Sequence, residues 1–184
     1  MLNKFKLLFA LLLITVVAGC AGGLQQILPN SLTLTPAQLQ NTLGRGFPFT
    51  KNYMGLLEVT FANPKLSMQP ETKRILSGIE ASFRNPLTGT PYSGKMNISS
   101  ALGYDPVTRS VLLKEPQLEG LEFPGMSPVL VGQLTKVANL VAYEKLKEYK
   151  IHSFQPGELN FFGVPVEPKG IDVTANGLLV SLAK

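Results

Sequence analysis

Few side chains in this sequence could do chemistry, and their spacing narrows the options further. His152 is the only histidine and Cys20 the only cysteine. A histidine base needs a nucleophile within reach, yet neither a Gly-x-Ser-x-Gly elbow nor a nearby thiol accompanies it. Ile151 and Phe154 beside it are the setting of an ordinary strand residue. The two aspartates read as structural, Asp105 in an Asp-Pro turn and Asp172 at a strand start. Glu115, Glu119 and Glu122 gather around Pro116. Without imidazole or thiol they could attract only a hard cation, and the ligand spacing of a calcium loop is missing. A solvated strand edge is the expectation. Gly44-Arg45-Gly46 lacks the third glycine and the following helix of a phosphate loop. The polar residues thus predict a protein that is not an enzyme and has neither cofactor nor metal.

The remaining candidates are apolar. A loop over Arg45–Tyr53 would set Phe47, Phe49 and Tyr53 beside Arg45 and Lys51. It reads two ways: a mouth where aromatics meet an apolar ligand and cations its head group, or a plug closing the core. Met126, Leu130, Leu134, Val137 and Val141 share one face of a later helix and carry the same double reading, since that face must bury whatever the function. Met54, Met68, Met96 and Met126 add pliant side chains that suit irregular ligands and core gaps alike.

Cys20 has a different role. Lys4 and Lys6 precede an apolar run from Leu7 to Ala18 that ends in Gly19-Cys20. That run has the length of a secretory core and falls short of the ~20 residues a spanning helix needs. The string Val17-Ala18-Gly19-Cys20 resembles the lipobox of bacterial lipoproteins, in which the thiol accepts an acyl chain before cleavage on its N-terminal side. With no second cysteine there is no disulfide partner and no companion metal ligand. Residues 1–19 are therefore expected to be a cleaved signal peptide, and 20–31 a lipidated cysteine and short tether. Residues 32–184 would form one domain, held at its membrane by the acyl chains on Cys20. Ala21, where aspartate would signal inner-membrane retention in lipoproteins of this class, points to the inner leaflet of the outer membrane, facing the periplasm.

The elements that must position these residues follow from pattern. Fourteen prolines and seventeen glycines, mostly between apolar runs, predict many short strands punctuated by turns. Ser31–Thr35 reads as a strand, and Thr35-Pro36 with Gln38 as a capping box opening a helix to Leu43. Four meandering strands follow: Leu56–Met68 broken at Asn63-Pro64, Ile75–Phe83, Tyr92–Leu102, and Val111–Phe123 interrupted at Pro116. The turn between the second and third falls at Asn85–Pro91. The period then changes to 3.6 over Met126–Tyr149, with Ser127 as cap and Val129, Val131, Ala138 and Leu140 widening the apolar face. So wide a stripe predicts a helix cradled by a curved sheet. Short strands at Ile151–Phe154 and Leu159–Val166 precede a hairpin around Asn176-Gly177. The order implies α+β, with a curved antiparallel sheet around one long helix.

The sequence resembles the YceB-like family of bacterial lipoproteins, on Leu-Thr-Leu-Thr-Pro-Ala-Gln-Leu at 32–39 and Phe-Ala-Asn-Pro-Lys-Leu at 61–66. The Gly94–Asp105 strand leading to Val111–Pro116, and the amphipathic helix before a terminal hairpin, extend the likeness. The resemblance implies a sheet wrapped around a helix, similar to the tubular lipid-binding folds of the bactericidal/permeability-increasing protein type, and hence an apolar ligand between helix and sheet. The formal charge of +5 contains no basic stripe interleaved with aromatics, so nucleic acid is not an expected partner. Two functions remain in view. One is a lipid or apolar-ligand binder with an aliphatic pocket of ~300–1,000 Å³. The other is an envelope scaffold with a filled core and an exposed apolar patch or sheet edge.

Overall fold

A computed structural model describes residues 29–53, 55, 57–84, 89 and 91–183. The expected signal peptide, Cys20, most of the expected tether, Met54 and most of the turn expected at Asn85–Pro91 lie outside the described residues. The fold is α+β: a strongly curled six-stranded antiparallel half-barrel packs against a helix from the C-terminal half, a short N-terminal helix and a C-terminal sheet.

β1 (Ser31–Leu34) leads into α1 (Pro36–Gly44). The capping box forms as expected: the Gln38 amide donates to Thr35 Oγ1 at 3.3 Å, and the Thr35 amide donates to Gln38 Oε1 at 2.8 Å. Leu39 and Leu43, four apart on one helix face, are fully buried. The half-barrel is a nearest-neighbour meander of β2 (Phe49–Tyr53), β3 (Leu57–Gln69), β4 (Arg74–Arg84), β5 (Pro91–Asp105) and β6 (Ser110–Glu122). β7 (Lys150–Ser153) closes it on the far edge. Alternation on β4 puts Ile75, Ser77, Ile79, Ala81 and Phe83 on the buried, concave side.

Two corrections concern prolines. Asn63-Pro64 does not break β3, and Pro116 does not interrupt β6. Each is absorbed as a bulge, with Asn63 at φ 48° and Glu115 at φ 47°, and the register shifting beside them. A bulge lets the strand continue while it bends and twists harder, which helps curl the sheet. Glycine contributes at Gly94, where a Cβ would stand 2.1 Å from the Glu122 carbonyl oxygen and 2.4 Å from the Phe123 ring. Its absence lets Phe123 fold over the strand and meet Phe83 edge-on at 4.6 Å.

α2 (Pro128–Leu146) starts at Ser127, whose hydroxyl accepts from the Leu130 amide at 3.5 Å. It ends three residues before the expected Tyr149. Glu148 takes φ 63°, its amide donates to the Leu113 carbonyl, and the Leu113 amide donates to Tyr149 O. Pairing with β6 thus takes over the chain before another helical turn can form. The expected strand over Leu159–Val166 is instead a tight pair, β8 (Asn160–Phe161) and β9 (Val164–Pro165). β10 (Glu167–Thr174) and β11 (Gly177–Ala183) form the terminal hairpin, and β1 adds to the outer side of β11. Gly177 has φ 126°, and a Cβ there would lie 2.1 Å from the Leu34 carbonyl oxygen, so both its conformation and the approach of β1 need glycine.

Candidate functional site

The segment read as a loop over Arg45–Tyr53 is largely strand. Phe49, Lys51 and Tyr53 point half-buried to the concave side of β2, while Thr50 and Asn52 face solvent. Lys51 sits among inward-facing residues because Nζ pairs with Glu144 Oε2 of α2 at 3.1 Å. Phe47 reaches back from the turn after α1, and the rings of Phe47, Phe49 and Phe61 form a file with centroid distances of 5.2 and 4.9 Å.

This file closes one end of an apolar slot between sheet and helix. Ile79, Met96 and Ile98 form its sheet side; Val141, Ala142, Lys145 and Leu146 its helix side. Lys145 Nζ lies 4.9 Å above the centre of the Phe49 ring. The slot holds only about 10 Å³, roughly one water's probe volume, so side chains fill the seam. Tyr53 stands four residues beyond Phe49 on the strand, its hydroxyl buried and without a hydrogen-bond partner among the described residues. Burial raises its pKa, the Glu144 carboxylate adds to the rise, and Lys51 opposes it.

The structure sorts the sequence-predicted residues. Phe47, Phe49 and Val141 line the slot. Leu134 is buried in the core nearby, and Met126 and Val137 pack half-buried against it. Leu130 does not belong to the site: it is 46% exposed, and Val129 and Leu140 at 73% and 51% are also outside. The buried stripe is Leu134, Ala138, Val141, Ala142 and Leu146. It is turned by somewhat less than one residue's ~100° from the expected face. Ala138 and Ala142 explain the turn, because two small side chains let α2 approach the sheet more closely than Leu130 or Leu140 would. Lys145, four residues after Val141 on the same face, was a signal that sequence reading passed over.

A wider hollow lies on the opposite, outward face of the sheet. It holds about 490 Å³ and includes Thr60, Glu80, Ser82, Ser93, Lys95 and Glu122 in its walls. Strand register sets Glu80, Lys95 and Glu122 in one row and Thr60, Ser82 and Ser93 in another. The hollow mixes these polar side chains with Ala62, Ala81 and Pro124, and it lies on the face of the sheet away from α2, unlike the expected aliphatic pocket.

The three glutamates near Pro116 do not converge. Glu119 accepts from the Ser99 hydroxyl, which Arg74 Nε also contacts at 2.8 Å, while Glu122 faces the outward hollow. No group of three potential metal ligands forms among the described residues. His152 on β7 pairs with Val111 on β6 and lies edge-on to Phe154 at 4.7 Å. Its Nε2 is 3.6 Å from Glu158 Oε2, too long for a hydrogen bond, so burial outweighs the carboxylate and lowers its pKa. A scan against protein-family models finds no match to this chain, and a search of curated proteins finds no relative.

Proposed function

We propose that this protein is a lipid-anchored envelope protein that binds, without catalysis, a lipid or other apolar ligand in the seam between α2 and the curled sheet. The observation that carries the reading is the aromatic file Phe47–Phe49–Phe61 standing over an apolar slot, with Lys145 at its rim. The slot is closed, so a ligand enters by displacing those rings or the C-terminal part of α2. The ties across that seam are weak. The half-exposed Lys51–Glu144 pair contributes about 0–1 kcal/mol, and the Lys145–Phe49 contact ~0.5–1 kcal/mol. Lysines at the rim suit an acidic head group. The YceB-like resemblance supports the same site by analogy of fold.

Native mass spectrometry of residues 21–184, purified from the periplasm without detergent and followed by lipid extraction, tests this. The expected result is a stoichiometric lipid that Phe49→Ala exchanges faster. A clean apo mass that also ignores added fatty acids and phospholipids would falsify the reading. The second reading, an envelope scaffold, is favoured by two observations. Side chains fill the seam, which holds only about 10 Å³. Val129, Leu130, Leu140 and Tyr143 leave the outer side of α2 apolar and at least 46% exposed at each position. It predicts that Leu140→Glu abolishes capture of another envelope protein and leaves lipid content unchanged.

A further inference from the structure

Among the described residues the buried polar side chains are four serines: Ser77, Ser99, Ser100 and Ser110. Two of them have structural work. Ser99 is held by Arg74 and donates to Glu119. Ser110 donates to the Thr108 carbonyl and meets the Ser153 hydroxyl at 2.9 Å. Among the described residues the hydroxyls of Ser77 and Ser100 have no partner, although both residues are fully buried. A buried hydroxyl left unpaired is destabilising, and alanine would relieve that penalty at either place.

Their location relates them to the slot. On β4, Ser77 is the next concave-side residue after Ile79; on β5, Ser100 is the next after Ile98. Ile79 and Ile98 are slot walls. Register pairs Ser77 with Ile98 and Ser100 with Ile75, so the serines are diagonal neighbours on adjacent strands, ~7–8 Å apart between backbones. They lie past the end of the slot away from the aromatic file, since Phe49 and Phe61 register with Ala81.

We infer that Ser77 and Ser100 are the polar floor of the ligand seam, and that its ligand is an alkyl chain bearing an uncharged hydrogen-bonding group, a hydroxyl or carbonyl, at its buried end. The inference rests on the seam reading above. An uncharged group fits because the cations of the seam, Lys51 and Lys145, stand at its rim, and an ionised group at the floor would have no counter-ion. A hydroxyl both donates and accepts, so it can pair with both serines and remove the orphan penalty when the ligand binds. Such a floor lowers the stability of the empty protein in exchange for selectivity. A site with buried polar groups discriminates against a ligand that leaves them unpaired.

The probes are 1-octanol and 1-fluorooctane, added to the mature full-length lipoprotein in phospholipid nanodiscs. Hydrogen exchange of peptides from β4 and β5 reads both stability and binding, and partition into the nanodisc is common to wild type and variants. Wild type should be protected by octanol about tenfold more than by fluorooctane, the effect of one or two neutral hydrogen bonds. Ser77→Ala/Ser100→Ala should exchange more slowly than wild type without ligand, still respond to fluorooctane, and show no preference for octanol. Faster exchange in the empty variant would mean that the hydroxyls were already satisfied, by buried water, and would overturn the floor. So would an octanol preference that survives the double substitution. A wild type that responds to neither probe overturns the seam reading itself. Ser77→Thr serves as a second variant, expected to weaken both probes through bulk while keeping the octanol preference.

Discussion

His152 carries a titratable group into the folded core, and the sign of its effect follows from burial. Desolvation lowers its pKa, while the Glu158 carboxylate pulls the other way. The unfolded chain, with an ordinary histidine near 6.5, therefore takes up the proton before the folded one. Stability rises with pH wherever the unfolded state binds more protons. The contribution is complete above about pH 6.5 and is lost as pH falls from there through the depressed folded value. We expect the urea midpoint to drop between pH 7 and pH 5 in wild type, and His152→Gln to flatten that dependence. Glu158→Gln should extend the loss to lower pH, because it removes the one group that favours the imidazolium. A pH profile unchanged by His152→Gln would place the acid sensitivity in other groups. In sequence, the lone histidine beside Ile151 and Phe154 was legible as a strand residue. Its approach to Glu158 was not, since the chain must turn after β7 to bring the carboxylate round.

At the scale of elements, the local signals were the readable ones. The Thr35–Gln38 box, the Ser127-Pro128 start and the alternation of β4 are each written within a few residues and form as expected. β2 was missed because its inward row contains Lys51, and a period-two reading expects an apolar residue there. The lysine is accommodated by Glu144, 93 positions away, a contact no local window contains. The orientation of α2 was misjudged for a related reason. An apolar stripe this wide does not state which part of it the sheet takes, and the close approach at Ala138 and Ala142 decides it. Two substitutions separate the sides. Leu134→Trp should destabilise by ~1–3 kcal/mol, because the seam has no room for added volume. Leu140→Gln, on the outer side, should stay within about 0.5 kcal/mol. A larger loss for Leu140→Gln than for Leu134→Trp in chemical unfolding would mean that α2 sits in the opposite orientation.

For the whole molecule, the aromatic candidates were legible but their role was not: a sequence marks Phe47 and Phe49 as mouth or plug, and only packed volume distinguishes the two. The expected anchor is the reverse case: its residues are written in the sequence and lie outside the described residues. Its consequence can be argued from the two together. β1 is hydrogen-bonded to β11 from Ser31 onward, and the Leu182 amide donates to the Asn30 carbonyl, so the tether begins at the C-terminal sheet. If Cys20 carries the anchor, the chain between Cys20 and Ser31, at most ~35–40 Å when extended, would hold the seam near the bilayer that would supply its ligand. No helix among the described residues is long and apolar enough to cross a membrane. If acyl chains on Cys20 are the attachment, Cys20→Ser should abolish labelling by radioactive palmitate and shift the chain away from the outer-membrane fraction. A variant that loses the label yet stays with the membrane would assign the attachment to the exposed apolar side of α2. Combining Cys20→Ser with Leu140→Glu would then release it.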